Sequence, residues 1–190
     1  MVLTLVVGGI VGGVAFFIWG ALSWMLLPWH HATFKRFHDE DEVARVIERN
    51  TDRSAVYGVP APPKSDPGMS AEEKKAAEAA TMNRMKQGPL LLAVVTRGGL
   101  APIWLLMIRA LVVYMLSAML VTWILMQTTG FGFLGRAGFV GTVGLTAGFI
   151  CRLPDWNWHG YAASYTAVNI ADAAIGWFLT GLAIAAVVRP

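Results

Sequence analysis

An acidic residue, Asp172, lies inside the last apolar stretch of the chain and has the clearest capacity for chemistry. A charged side chain within a bilayer is costly and needs a partner. Tyr165 and Asn169 precede it by seven and three residues, so on a helix the three side chains share one face. We expect this polar stripe to point into the protein, as a structural clamp or as a path for a ligand or a proton.

Arg109 is the predicted partner of Asp172, because it lies in another apolar stretch at a similar depth. Arg109 is about eight residues, or ~12 Å, into its segment, and Asp172 is about ten residues into its own. A buried arginine and a buried aspartate at equal depth lower each other's cost, which predicts an intramembrane ion pair. Tyr114 and Ser117 are expected to extend the polar stripe. Alternatively, Arg109 reaches the membrane interface, or either charge pairs with another subunit.

Aromatic residues and histidines flank these segments on the same side. Trp29, His30 and His31 follow the first apolar stretch, and Trp156, Trp158 and His159 lie in a polar turn over residues 153–160. We expect these six residues to form a mouth above the ion pair. Adjacent His30 and His31 diverge by about 100° on a helix, and His31 and His38 are roughly 10 Å apart. The sequence therefore predicts no metal and no cofactor; the alternative is a metal bound by His30, His31 or His38.

The elements that position these residues are membrane-spanning helices. Of 190 residues, 56% are hydrophobic and 14% charged, against about 45–50% and about 25% in soluble domains. Apolar stretches at 1–28, 101–126, 137–153 and 162–187 predict four spans. The net charge of +3 is not gathered into a basic cluster, so nucleic acid is not an expected partner. A single cysteine excludes an internal disulfide.

Residues 29–99 are predicted to be an interfacial segment followed by a small α+β module. Asp39 and Ser70 have the spacing of helix N-caps, and stretches 54–59 and 90–96 are predicted to pair as strands. The apolar run 89–127 must be broken near Gly98, because one helix of roughly 40 residues would span ~60 Å, about twice the hydrocarbon core. The expected fold is an all-α polytopic membrane protein with this module inserted between helices 1 and 2, and a three-helix region over 100–190.

Two glycine-lined faces predict close helix packing. Small residues at intervals of three and four let helix backbones approach each other in a membrane. The glycines are Gly8, Gly9, Gly12 and Gly13 in the first span and Gly141, Gly144 and Gly148 in the third. We expect these faces and the module to bind neighbouring proteins.

The function expected from these features is that of an accessory, structural or assembly subunit of a larger bacterial-type membrane complex. No nucleophile, zinc-protease or nucleotide-loop motif is present, so an enzyme is not expected. The alternative is transport or handling of a small solute or metal ion at Arg109, Asn169 and Asp172. Expected partners are membrane lipid and other subunits or further copies of the chain. Basic residues are more numerous on the module side of the membrane than on the opposite side, which favours a module in the cytoplasm of a bacterium and an inner-membrane location. The module side has Lys35, Arg36, Lys86, Arg97 and Arg152, and the opposite side has Arg136 and Arg189.

Overall fold

The structure, a computed structural model, describes residues 1–63 and 66–188 and divides the chain into two compact units. The first unit comprises Met1–Lys35 together with the chain from Ala101 onwards, and the second is Arg36–Leu100. Residues 29–35, in the predicted interfacial segment, thus belong to the helical unit. Arg189, one of the charges used to predict orientation, lies outside the described residues.

The first unit is a helical bundle. Its helices are α1 (Val2–Met25), α2 (Trp29–Thr33), α5 (Ile103–Met126), α6 (Phe133–His159) and α7 (Ala163–Val187). All but the short α2 are long and apolar enough to cross a membrane, which confirms the prediction of four apolar helices. This composition is compatible with an integral membrane protein.

The third long helix extends further in both directions than the sequence predicts. Predicted over 137–153 and followed by a turn, α6 instead includes Pro154 and reaches His159. A proline inside a helix removes one backbone hydrogen bond, but α6 continues past it and ends at Gly160, whose φ of 71° is the left-handed conformation that favours glycine. The polar turn predicted at 153–160 is therefore mostly the last turns of a helix.

Both glycine-lined faces are covered by helices of the same chain. On α1, all four glycines are buried against α5, where an added Cβ at Gly13 would lie 2.6 Å from the backbone of Met115. On α6, Gly141, Gly144 and Gly148 face α7. The prediction of close packing is met inside the protein, so these faces are not free to bind neighbours.

Helix α1 lies between α5 and α7. The ring of Phe16 packs between Tyr114 of α5 and Trp177 of α7, at centroid distances of 4.8 and 5.0 Å. Toward the other end of the bundle, a buried core joins α5, α6 and the end of α7 through Ala118, Val121, Leu125, Val140, Ile184 and Val188. Because α1 separates α5 from α7 near Phe16, polar residues of the latter two helices do not meet directly there.

The second unit has the secondary structure expected from its sequence. It contains α3 (Glu40–Asn50), β1 (Ala55–Val59), α4 (Ala71–Gln87) and β2 (Leu91–Val95). The strands pair antiparallel, with Val56 opposite Val94. Asp39 caps α3, and Ser70 and Glu73 form the predicted capping box of α4.

Arg97 joins the end of the sheet to α3. Its guanidinium donates to the backbone carbonyls of Glu48, at 3.3 Å, and Thr51. These carbonyls lie in and just beyond the last turn of α3, where backbone acceptors lack partners within the helix. Arg97, used in the sequence analysis only as a charge that indicates orientation, therefore satisfies a helix C-terminus.

Candidate functional site: a polar cluster around Asp172

Asp172 is held by side chains of α1 and α2. Its Oδ1 atom accepts hydrogen bonds from Ser23 Oγ at 2.6 Å and from Trp19 Nε1 at 2.8 Å. Its Oδ2 atom lies 3.5 Å from Nε2 of His30. The Asp172 side chain is 18% exposed and that of His30 is 0% exposed. The acid thus has three polar neighbours in a largely closed site.

The turn after α1 explains how His30 reaches Asp172. The chain leaves α1 at Met25, turns through Pro28 and enters α2, which packs against α7. The His30 ring is stacked on Trp24, with centroids 3.9 Å apart and an interplanar angle of 7°. The edge of Trp29 closes another side, at a centroid distance of 5.6 Å. These rings fix the imidazole in place beside the carboxylate.

Ser23 determines which His30 nitrogen carries a proton. A serine hydroxyl has one proton to donate and two lone pairs. An ionised carboxylate only accepts, so the Ser23 proton points to Asp172. The hydroxyl oxygen then accepts from Trp29 Nε1 at 3.0 Å and from His30 Nε2 at 3.1 Å. His30 therefore carries a proton on Nε2 whenever Asp172 is ionised.

The other ring nitrogen of His30 has no protein partner. Nδ1 is buried and makes no hydrogen bond among the described residues. A buried polar atom without a partner is uncommon and costs stability. The two nitrogens of this ring are thus in different surroundings, one in a polar network and one without a partner.

The predicted ion pair between Arg109 and Asp172 is not formed in the structure. Gly13 of α1 packs against Met115 of α5, and the two helices are antiparallel. Trp19 lies six residues after Gly13 and Arg109 lies six residues before Met115, so the two residues lie at the same level of the helix pair. Trp19 bonds to Asp172. The side chain of Arg109 does not point toward α1, because Arg109 is about 120° around the axis of α5 from Met115. It is exposed, and α1 lies in between.

The rest of the predicted stripe does not gather around Asp172 by hydrogen bonds. The Asn169 amide donates to the backbone carbonyl of Tyr165 in its own helix, at 2.8 Å. The Tyr165 ring packs edge-on against Phe34, at 5.8 Å between centroids. Tyr114 packs on Phe16, and Ser117 is half-buried, with no side-chain hydrogen bond among the described residues. Arg109, Asn169 and Asp172 do not converge on one ligand here.

The predicted mouth separates into two groups. Trp29 and His30 belong to the Asp172 cluster, and exposed His31 bonds to the backbone carbonyl of Trp24 at 3.1 Å. On α6, His159 pairs with Asp155 at 3.0 Å. Trp156 and Trp158 are 49% and 78% exposed, as expected for aromatic residues at a membrane interface.

Neither a metal site nor a catalytic triad is assembled by these histidines. Within residues 1–63 and 66–188, no three His, Cys, Asp or Glu side chains lie close enough to share an ion, so His30, His31 and His38 do not form a joint site. In a Ser–His–Asp triad the serine and the acid use different imidazole nitrogens. Here both lie beside Nε2 of His30, and Ser23 gives its proton to the acid.

Sequence reasoning missed Trp19 and Ser23 as site residues. The available signal was the seven-residue interval between Ser23 and His30, interrupted by Pro28, since a proline turn after a span can fold the following segment back on it. The interpretation of the chain after the first span as an interfacial segment concealed this possibility. No protein-family model, curated protein or solved structure is detectably similar to this chain.

Proposed function

We propose that this protein is an accessory or assembly subunit of a larger membrane complex, anchored by its four long helices and bound to its neighbour through the Arg36–Leu100 unit. The observation that carries the proposal is the lack of an apolar core in that unit. Thr51 is the one buried residue in its described part. Small domains are marginally stable even when they have a core, and a unit with one buried residue buries less apolar surface than that, so it fits a protein that is completed by a partner.

The outer face of the sheet is the surface best suited to that partner. Val56 and Val94 are paired across the two strands and share one face. They are 63% and 78% exposed, and Leu92 on the same face is 41% exposed. A two-stranded sheet has two open edges and is marginal alone. An apolar strand or flat apolar surface of another subunit would cover this face and supply the missing burial.

The proposal differs from the sequence expectation in one respect. Glycine-lined faces were expected to bind neighbours, but α5 and α7 already occupy them. The internal packing of the glycine-lined faces of α1 and α6 therefore supports an anchoring role for the bundle, with recognition in the second unit. A non-catalytic subunit of a bacterial inner membrane, with the module in the cytoplasm, remains the proposed setting.

Site-specific photo-crosslinking tests the proposal. A photoreactive amino acid at Val94 of the full chain, expressed at native level, should give a cross-link to one other protein of constant mass. The same reagent at Lys75, an exposed position on α4, is the control and should give none. Purification in mild detergent should then yield a particle whose native mass equals the chain plus that protein in a fixed ratio.

Other outcomes would reject it. A cross-linked product of twice the chain's mass would show self-association in place of an accessory role. A monomer with no Val94-specific product would show that the sheet face needs no protein partner.

A further inference from the structure

We infer that Asp172, Ser23 and His30 form a proton-binding site, in which one exchangeable proton supplies the positive charge that Asp172 needs inside the bundle. Its ligand class is the proton, taken from water on the side where α2 follows α1. This inference is independent of the proposed subunit role, which depends on the Arg36–Leu100 unit.

The first argument is the identity of the charges around Asp172. Helix α1 contributes no ionisable side chain. The remaining titratable or charged groups on the packed helices are His30 and His31 of α2, Tyr165 of α7, Arg109 and Tyr114 of α5, and Arg136, Cys151, Arg152, Asp155 and His159 of α6. Among the described residues, only His30 lies within 4.0 Å of the carboxylate as a possible cation. Because a histidine is charged only when protonated, the neutralising charge is a removable one.

Hydrogen bonds to Oδ1 do not replace that charge. Ser23 and Trp19 both donate to Oδ1, and each leaves the net charge of the carboxylate unchanged. Oδ2 receives neither bond and faces His30. A carboxylate in a largely closed site is destabilised when it has no counter-charge. One proton on the Asp172–His30 pair makes the pair neutral overall.

The surroundings of His30 suit the cationic ring. Trp24 presents its face at 3.9 Å in a parallel stack, and a cation over an indole face is stabilised electrostatically. Nε2 already carries a proton that points to Ser23. The unpartnered Nδ1 is the nitrogen left to receive another.

Proton binding forms one bond on His30 and breaks one bond of the proton donor. Hydronium or a buffer acid gives a proton to the Nδ1 lone pair. An N–H bond forms as the donor's bond to hydrogen breaks, and water or the buffer's conjugate base keeps the electron pair. The ring becomes an imidazolium and the charge of the pair changes from −1 to zero. Release reverses these steps. Ser23 keeps its proton throughout and connects the two charged groups.

The test uses a full-length chain in which His30 is the only histidine. His31, His38 and His159 are exposed, so His31→Gln, His38→Gln and His159→Gln together should leave the fold intact, as checked by circular dichroism. With 15N-labelled histidine in lipid nanodiscs, the ring signals report the protonation of each nitrogen. We expect both signals to change with pH, and the pH interval of this change to move when Asp172→Asn is added.

The matched control and the alternatives decide the matter. Asp155→Asn, the same substitution at an acid outside the cluster, should leave the interval in place. If the ring signals do not respond to pH, or respond in the same interval with and without Asp172→Asn, no proton is shared and the inference fails. If Asp172→Asn does not fold, infrared spectra of 13C-aspartate protein with and without His30→Gln provide the decision. The carboxylic-acid band must then change its pH range on His30→Gln, and an unchanged band overturns the site.

Discussion

Replacement of Ser23 by alanine removes the atom that connects the Asp172 cluster. The Ser23 hydroxyl donates to Asp172 and accepts from Trp29 and His30, all within 3.1 Å. Loss of Oγ therefore leaves three buried or half-buried groups with one partner fewer. No other single-atom deletion among the described residues of the cluster breaks as many hydrogen bonds.

The size of the effect follows from those three bonds. Side-chain hydrogen bonds between membrane helices average ~0.6 kcal/mol and reach ~1.7 kcal/mol, so three average bonds give about 2 kcal/mol. The bond to Asp172 is charge-assisted and belongs at the upper end of the range, where such bonds contribute ~1.5–3 kcal/mol. We expect Ser23→Ala to lower the free energy of unfolding by about 2–4 kcal/mol, a factor of roughly 30 to 1,000 in the folding equilibrium.

The assay is reversible unfolding of the full chain in mixed micelles, monitored by helical circular dichroism. Ser117→Ala is the matched control, because Ser117 is half-buried in α5 and its hydroxyl makes no hydrogen bond among the described residues. It should change stability by less than about 0.5 kcal/mol. Equal effects of the two substitutions would show that Ser23 does not connect the cluster, and would refute the reasoning.

Two further substitutions test the packing and the module. Gly13→Ala should be less stable than Gly20→Ala by ~1–3 kcal/mol in the same assay, because the methyl group added at Gly13 meets the backbone of Met115 and that added at Gly20 does not. Equal stabilities would contradict the packing of α1 on α5. In the capping box, backbone and side-chain hydrogen bonds from Ser70 lower the pKa of Glu73. The box therefore stabilises α4 above the ordinary glutamate range and loses this contribution as pH falls through the lowered pKa. Protection of the amides at the start of α4, measured relative to their intrinsic exchange rates, should therefore fall in acid. Glu73→Gln should abolish that acid response, and an unchanged response would exclude Glu73 as its source.

Much of the fold could be predicted because its signals are local. Four apolar stretches predict four long helices, and the Ser70–Glu73 spacing predicts the start of α4. The two strands were predicted within a residue at each end, since turn-forming residues bound both. Local rules failed at Pro154, which lies in the polar turn predicted over 153–160 although the helix continues to His159.

The site was harder to predict because it depends on angles between helices. Counting residues predicts similar depths for Arg109 and Asp172, but depth does not fix direction around a helix axis. A rotation of about 120° from Met115 is enough to turn Arg109 away from α1. The sequence contains no rule for which face of α5 meets α1, except the glycines of α1, and these identify only the α1 side of the contact.

The partner of Asp172 is His30 and not the predicted Arg109, and this difference determines whether the charge beside the acid can be lost. An arginine stays charged across the whole physiological pH range, so an Arg109–Asp172 pair would hold two helices together permanently. A histidine can lose its charge, and the contact between α2 and α7 then includes an uncompensated carboxylate. Because His30 of α2 faces Asp172 of α7, the strength of the contact between these two helices depends on a proton. The glycine packing of α1 and α6 does not depend on one. We therefore expect any pH response of the bundle to begin at α2.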